Sequence, residues 1–168
     1  MGGFAYAGTD LHSVQRILVE QSVYGKFVDL PLAGVDKLKT GDPWMIANRS
    51  GSTHSREGCR TSQRLGAGSS ARRSRILRGG QREGSMLEPT VLTGTRPDMK
   101  VNCQEIFAPV VTVEHYTDSN DALRQINSSP YGFASWIVYP RRRNSCSQAY
   151  DELEVGGLIA GDVPAFPD

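Results

Sequence analysis

The apolar positions before residue 44 predict one strand followed by one amphipathic helix. Residues 16–19 form an apolar run of strand length, and Ser22 then offers a hydroxyl that can cap a helix. The apolar residues that follow recur at roughly helical spacing, namely Val23, Phe27, Leu30 and Leu38. Pro31 falls inside this helix, where proline removes a backbone hydrogen bond and costs about 3 kcal/mol. We expect the helix to end at residues 40–43, which completes half of a βαβ unit.

Residues 44–82 lack the apolar periodicity of either a helix or a strand. Their one acidic residue is Glu57, whereas they contain nine arginines: Arg49, Arg56, Arg60, Arg64, Arg72, Arg73, Arg75, Arg78 and Arg82. Such a stretch buries too little apolar surface to offset the entropy that ordering it costs. We therefore predict that residues 44–82 are disordered or non-native, with Ile76 and Leu77 as the one strand-like pair.

From residue 84 to residue 168 the pattern of an ordinary globular domain returns. Strand-like runs occupy residues 90–93, 109–113, 133–139 and 158–160, and we expect the last of them to be buried. One helix is predicted to begin at Asp118 or Ser119, and a second covers residues 148–154. Because the strands alternate with helices, the sequence predicts an α/β fold with a mostly parallel sheet and flanking helices.

Composition and charge narrow the classes of function. The formal net charge of +1 gives no reason to expect a nucleic-acid or membrane partner. No apolar run approaches the roughly 18 residues of a transmembrane helix, and no secretory signal is recognisable, so we expect a cytoplasmic protein. The cysteines and histidines are widely spaced, which argues against a disulfide framework and against a metal site. These residues are Cys59, Cys103, Cys146, His12, His54 and His115.

Longer motifs carry a more specific signal than the periodicity does. In chain order they are S-V-Q-R-I-L-V at residues 13–19, T-G-D-P at 40–43, L-E-P-T-V at 87–91, E-I-F-A-P-V at 105–110, N-S-S-P-Y-G at 127–132 and G-G at 156–157. The ordered combination resembles the aldehyde dehydrogenase family, in which similar motifs follow one another at roughly this spacing. The resemblance covers about two-thirds of the chain, within residues 13–43 and 84–168.

The resemblance implies that residues 1–168 are part of the catalytic domain in the C-terminal half of the family's subunit, so that the α/β fold is incomplete. It implies NAD(P)-dependent oxidation of an aldehyde to a carboxylic acid, with NAD or NADP as cofactor. We expect the dinucleotide-binding domain, the upstream glutamate that acts as base and the C-terminal strand used in oligomerisation to be absent. The intact family forms homo-oligomers, and this fragment is expected to bind no cofactor by itself.

The position of the family's nucleophile is occupied by Leu11. In the family a cysteine thiolate attacks the aldehyde carbonyl to form a covalent intermediate. Aligning residues 7–8 and 13–16 with the family's A-G-Q-x-C-x-S-x-Q-R pattern puts Leu11 at that cysteine. Leucine has no lone pair to offer a carbonyl carbon, and no other cysteine of this chain lies in the matching context. We therefore expect no catalytic residue and no turnover.

By the same resemblance, Glu105 and Phe107 are the cofactor-binding residues that remain. A carboxylate suits the two vicinal hydroxyls of the nicotinamide ribose because each of its oxygens can accept a hydrogen bond. The phenyl ring of Phe107 would pack near the nicotinamide. Without the family resemblance, Glu105 would be a surface glutamate at a strand edge and Phe107 a core aromatic. His115 has no visible partner in the sequence and is expected to be a surface residue.

Three further hypotheses address the arginine-rich stretch and the missing nucleophile. A reading-frame shift that is later restored, or a sequence error, would explain residues 44–82, and also residues 1–12 and 140–146. Alternatively, residues 72–75 and 78–80 resemble RS- and RGG-type segments that bind nucleic acid through phosphate contacts. Because Trp44 is the only aromatic of the stretch, a solvated basic loop is favoured over that hypothesis. The third is a non-catalytic relative that assembles with intact subunits.

Overall fold

The computed structural model describes residue 4 and residues 13–38, 74–84, 86–137 and 143–161, with the backbone alone for residues 143–146. The elements in these ranges are β1 (Arg16–Glu20), α1 (Gln21–Val35), β2 (Arg75–Arg78), β3 (Arg82–Glu83), β4 (Met86–Leu87), β5 (Thr90–Thr93), α2 (Lys100–Cys103), β6 (Val110–Tyr116), α3 (Ser119–Asn127), β7 (Ser135–Ile137), α4 (Arg143–Glu152) and β8 (Leu158–Ala160). None of the described helices combines the length and the apolar character that crossing a bilayer requires.

The main sheet contains four strands in the order β1-β6-β5-β2. β1 and β5 both run parallel to β6, whereas β2 is antiparallel to β5. Two short ladders complete the described strands, the antiparallel pair β3–β4 and the parallel pair β7–β8. The predicted α/β fold with a mostly parallel sheet is confirmed.

The central strands divide the core between the two faces of the main sheet. Val91 of β5 and Val113 of β6 pack on the side of α1, whereas Leu92 and Val110 pack on the opposite side. This division follows from the alternation of side chains along a strand. On the second side the core is completed by Val101 of α2. Helix α1 therefore covers one face, and the connection between β5 and β6 covers the other face.

Helix α1 begins one residue before the predicted cap and continues through Pro31 to its end at Val35. Its buried stripe differs from the predicted one, because Val23 and Leu30 are 48% and 71% exposed. The residues that pack on the sheet are Tyr24, Phe27, Val28, Leu32 and Val35. The predicted face was therefore wrong except at Phe27.

The position of Tyr24 explains which stripe is buried. Its hydroxyl lies 2.6 Å from the hydroxyl of Thr93 and donates to the carbonyl of Val113 at 3.2 Å. Its ring also meets the ring of His115 edge-on, with centroids 5.4 Å apart. His115 is exposed as expected, but it does have a partner, which the sequence did not reveal. A tyrosine can be half-buried on this stripe because its polar end is satisfied there.

The prediction of disorder was wrong for residues 74–82, whereas residues 44–73 lie outside the described residues. β2 pairs with β5 through backbone hydrogen bonds, which do not require apolar side chains, and its Leu77 packs against the core on the α1 side. Arg78 donates two hydrogen bonds to the carboxylate of Asp36, directly after α1. These bonds hold the pKa of the Asp36 carboxyl below its ordinary value.

The C-terminal elements follow the predictions more closely. α3 begins after Asp118, whose carboxylate accepts from the backbone N–H of Asn120, as expected of a helix cap. α4 begins five residues earlier than predicted, at Arg143 rather than residue 148. β8 occupies the predicted residues, but it was wrongly expected to be buried, because Ile159 is 37% exposed.

Candidate functional site

The loop between α2 and β6 carries both predicted cofactor-binding residues. Exposure alternates along it: Glu105 and Phe107 are exposed, whereas Ile106 and Ala108 are buried. Phe107 is 45% exposed, so it is not the core aromatic that the alternative interpretation required. The alternation places the carboxylate and the phenyl ring on the solvent side of one short segment.

The shape of this loop is fixed by its own backbone. Ala108 donates its N–H to the carbonyl of Ile106 at 2.9 Å, and Val110 donates to Ala108 at 2.7 Å. Bonds of this i to i+2 kind are typical of tight turns where a strand begins. The carbonyl of Pro109 accepts from Thr90 at 2.8 Å, which fastens the end of the loop to β5.

A side chain from the other end of the sequence also fastens the loop. The amide nitrogen of Gln15 donates to the carbonyls of Val101 and Gln104, both at 2.8 Å. Its amide oxygen accepts from the backbone N–H of Ile106 at 3.0 Å. Gln15 directly precedes β1, and its own carbonyl accepts from Thr112 at 2.9 Å. In the sequence, Gln15 was recognisable only as part of a family motif, and this hydrogen-bonding role was not predicted.

A second polar group orders the residues that lead into α2. Asn102 is 7% exposed, and its side chain donates to the hydroxyl of Thr95 at 2.9 Å and to the carbonyl of Arg96 at 2.8 Å. The carboxylate of Glu114 accepts from the backbone N–H groups of Gly94 and Thr95, at 3.1 Å and 2.6 Å. Buried polar groups that are satisfied in this way make a segment rigid.

Arg16, next to Gln15, contacts a different element. Its guanidinium donates to the carbonyl of Gln125 at 3.0 Å, in the last turn of α3. A cation is favourable at this end of a helix, where carbonyl groups lack partners. Partial burial lowers the pKa of Arg16 from its ordinary value, but arginine stays charged at any physiological pH. Neighbouring residues thus anchor α3 and the loop separately.

The N-S-S-P-Y-G motif has a structural explanation. The Asn127 side chain donates to the carbonyl of Glu152 at 2.7 Å and accepts from the N–H of Glu154 at 3.0 Å. Gly156 donates to the carbonyl of Gly132 at 2.7 Å. The motif and the turn at Gly156 are therefore joined by hydrogen bonds to each other, and these bonds do not involve the loop that carries Glu105.

The other residues singled out by the sequence are not brought to this loop by the structure. Leu11, His12, His54 and Cys59 lie outside the described residues, as does the side chain of Cys146. Cys103 is an exposed free thiol at the end of α2, two residues before Glu105. Among the described side chains, no group of three His, Cys, Asp or Glu residues is arranged to hold a metal ion.

The R-G-G sequence at residues 78–80 has packing roles in this fold. Arg78 is paired with Asp36, and Gly79 adopts φ +74°, which favours glycine. A Cβ atom on Gly79 would lie 2.1 Å from the carbonyl oxygen of Pro89. These contacts do not suit the flexible RGG-type segment considered above.

Comparison with known proteins decides the family. The model of the aldehyde dehydrogenase family matches residues 1–167. The chain belongs to the aldehyde dehydrogenase family. The match includes residues 44–82, so the likeness to the family extends over nearly the whole chain rather than about two-thirds of it.

Individual aldehyde dehydrogenases agree with this assignment. The lactaldehyde dehydrogenase of Methanococcus aeolicus is 34% identical over 165 residues, which are 98% of this chain and 35% of that protein. The 3-sulfolactaldehyde dehydrogenase of Priestia megaterium is 31% identical over 163 residues, 97% of this chain and 34% of that protein. The chain thus spans about a third of the length of these relatives.

Solved structures show the same fold. Aldehyde dehydrogenase 21 of Physcomitrella patens, in complex with the reaction product succinate, superimposes with a TM-score of 0.91 at 31% identity, over 99% of this chain and 34% of that one. The glyceraldehyde-3-phosphate dehydrogenase of Methanocaldococcus jannaschii, complexed with NADP, gives a TM-score of 0.90 at 27% identity, over 99% and 36%. The betaine aldehyde dehydrogenase of Staphylococcus aureus, in complex with NAD⁺, gives 0.87 at 28%, over 98% and 34%.

Proposed function

We propose that this chain supplies the nicotinamide-side loop of an NAD(P)-dependent aldehyde dehydrogenase, and that it does not turn over aldehydes as it stands. The observation that carries the proposal is the exposed and firmly held pair Glu105 and Phe107, in the motif where the family resemblance places cofactor contacts. Relatives complexed with NAD⁺ or with NADP support both cofactors for the family.

The residues of the loop fit a nicotinamide ribose chemically. Among the described residues, none donates a hydrogen bond to the Glu105 carboxylate, so both of its oxygens are free to accept from two vicinal hydroxyls. Phe107 lies on the same side and offers an apolar surface for a flat ring. Buried Ile106 between them fixes their spacing.

Each group has one task in the proposed reaction. The bound cofactor supplies the hydride acceptor for oxidation of the aldehyde. Glu105 orients the ribose through its two acceptor oxygens, and Phe107 keeps water away from one side of the ring. Holding a reactant in one geometry lowers the entropic part of the barrier. The aldehyde substrate itself is proposed from the family alone.

Leu11 is the reason for the proposed inactivity. Covalent catalysis needs a nucleophile that can attack the carbonyl carbon, and an aliphatic side chain has none. The decisive assay measures NADH and NADPH formation with simple aldehydes. We expect no turnover, and turnover that a thiol reagent abolishes would contradict the role assigned to Leu11. The Cys103→Ser variant then shows whether the exposed thiol of α2 is responsible.

The loop assignment is tested by titrating NAD⁺ and NADP⁺ while following the backbone amide signals by NMR. We expect the affinity for either cofactor to be so weak that no shifts appear at micromolar concentration. Shifts at Glu105 and Phe107 should appear once the cofactor is present at millimolar concentration. The Glu105→Gln variant retains one acceptor oxygen and loses the charge, so its shifts should need several-fold more cofactor. Glu83→Gln, which changes an exposed glutamate of β3, is the matched control. If the Glu105→Gln variant shows the same shifts at the same cofactor concentrations as the unchanged chain, the assignment is wrong.

A further inference from the structure

We propose that Gln15 is a positioning residue, which holds Glu105 and Phe107 in the orientation that faces the cofactor. This inference rests on the proposed function for what the loop binds. That Gln15 orders the loop follows from contacts among the described residues and does not depend on what the loop binds. The segment just before β1 contacts the loop that leads into β6.

The terminal amide of Gln15 is fully used by the loop. An uncharged glutamine offers two N–H donors and one oxygen acceptor at its end. The two donors serve the carbonyls of Val101 and Gln104, and the acceptor serves the N–H of Ile106. The partners lie 86, 89 and 91 residues away in the sequence, so no local structure could provide these bonds.

The carbonyls that Gln15 reaches belong to the end of the one-turn helix α2. The last carbonyls of a helix have no partner within the helix and must be satisfied from elsewhere. Val101 is 1% exposed, so water could not easily replace a donor there. Gln15 therefore determines where α2 ends and how the chain leaves it toward Glu105.

The third bond fixes the two proposed contact residues directly. Ile106 lies between Glu105 and Phe107, and it is held by its buried side chain and by its N–H. When residue 106 is fixed at two points, the residues on either side project together toward solvent. The backbone of Gln15 is itself bonded to the sheet, because its carbonyl accepts from the N–H of Thr112 in β6. The position of the loop is thus set by its contact with the sheet through Gln15, and not only by the residues that flank the loop.

Glutamine suits this position better than its nearest analogues. A carboxylate would keep the acceptor for Ile106 but would face the carbonyls of Val101 and Gln104 without a donor. Methionine fills a similar volume and removes all three bonds. Leaving buried backbone groups without partners has a large local effect, because their hydration is lost and nothing replaces it. Gln15→Glu therefore removes the two donor bonds and keeps the bond from Ile106, whereas Gln15→Met removes all three.

The test measures protection of individual amides against hydrogen exchange in the full chain, without cofactor. In Gln15→Met we expect the Ile106 amide to exchange at least tenfold faster, while amides of β6 keep their protection. In Gln15→Glu, most of the Ile106 protection should remain, because an acceptor oxygen is still present. Gln148→Met is the matched control, since Gln148 of α4 also donates two hydrogen bonds, to the side chains of Asn120 and Glu152.

A role limited to general stability would give a different pattern. Faster exchange spread evenly over β1, β5 and β6, or unchanged exchange at Ile106 in Gln15→Met, overturns the proposal. If Gln15→Met does not fold, Gln15→Glu serves alone, and loss of protection at Ile106 in that variant without loss in the Gln104 amide overturns it. Equal loosening of Ile106 by Gln148→Met also overturns it.

A second readout links the loop to the cofactor. Repeating the millimolar NAD⁺ titration with Gln15→Met, we expect the shifts at Glu105 and Phe107 to weaken several-fold although both residues are unchanged. Unweakened shifts overturn the positioning role. The two proposals fail separately, because hydrogen exchange tests the loop without any cofactor, whereas the Glu105→Gln titration tests the cofactor contact without touching Gln15.

Discussion

Replacing Gly79 with alanine tests whether the arginine-rich strand β2 is part of the packed fold. Gly79 combines a φ of +74° with a close approach to the backbone of β5. The left-handed conformation alone costs an alanine about 1–2 kcal/mol. The added Cβ would also lie 2.1 Å from the oxygen and 2.9 Å from the carbon of the Pro89 carbonyl.

The clash at Gly79 cannot be relieved by a side-chain rotation, because both atoms belong to the backbone. Forcing extra volume into a packed region typically costs a further 1–3 kcal/mol, roughly. We therefore expect Gly79→Ala to lower the free energy of unfolding by about 2–5 kcal/mol. The displacement should also reach Thr90, whose N–H is bonded to Pro109 at the end of the candidate loop.

Gly84 provides the matched control. Its φ is +59°, but a Cβ there would meet nothing within 4 Å. Gly84→Ala should therefore cost only the conformational part, about 1–2 kcal/mol. Urea denaturation followed by circular dichroism gives both values from the same unfolding model. If Gly79→Ala costs no more than Gly84→Ala, the steric argument is wrong and a flexible R-G-G segment becomes the better interpretation.

Four other predictions follow from single features. Gly25→Ala, in helix α1 with open space around the new Cβ, should raise the free energy of unfolding by about 0.5–1 kcal/mol, measured in the same way. Val113→Ala should lower it by about 2 kcal/mol, because this side chain is 1% exposed; a loss below the scatter of repeats would contradict the assigned core. The Asp36 carboxyl has a lowered pKa in the fold, so its stabilising contribution is present above its unfolded pKa near 4 and is lost as the pH falls through its lower folded pKa. Asp36→Asn should remove that part of the acid dependence, and an unchanged profile would refute it. Reading the coding DNA in all three frames tests the frame shift hypothesised for residues 44–82: residues more family-like than the present ones in another frame support it, and their absence rules it out.

The sequence predicted the elements more accurately than their faces. For α1, two apolar stripes overlap at Phe27, and hydrophobicity alone favours the one with Val23 and Leu30. The fold buries the stripe with Tyr24 because Thr93 and the Val113 carbonyl satisfy its hydroxyl. Those partners lie 69 and 89 residues away, and no local pattern contains them.

Two other features escaped prediction for related reasons. β2 was assigned to a disordered stretch because arginines dominate its composition, yet backbone pairing with β5 and one half-buried residue, Leu77, are sufficient for an edge strand. The site was predicted as Glu105 and Phe107 from a local motif. What holds them is Gln15, through a contact with Ile106 that lies 91 residues away in the sequence and that a local motif does not encode.

The arginines of β2 also have a consequence for self-association. Within the described residues, β2 is a terminal strand of the main sheet, and its free side could pair with a strand of another molecule. It displays exposed Arg75 and Arg78, and its register with β5 shifts between Ile76 and Arg78. Because Arg78 is already paired with Asp36, Arg75 is the like charge that two copies brought together along this strand would oppose, across an irregular ladder, which disfavours the first step of sheet-to-sheet aggregation. The arginine-rich composition that argued against folding of this stretch thus disfavours aggregation of the folded chain with further copies of itself.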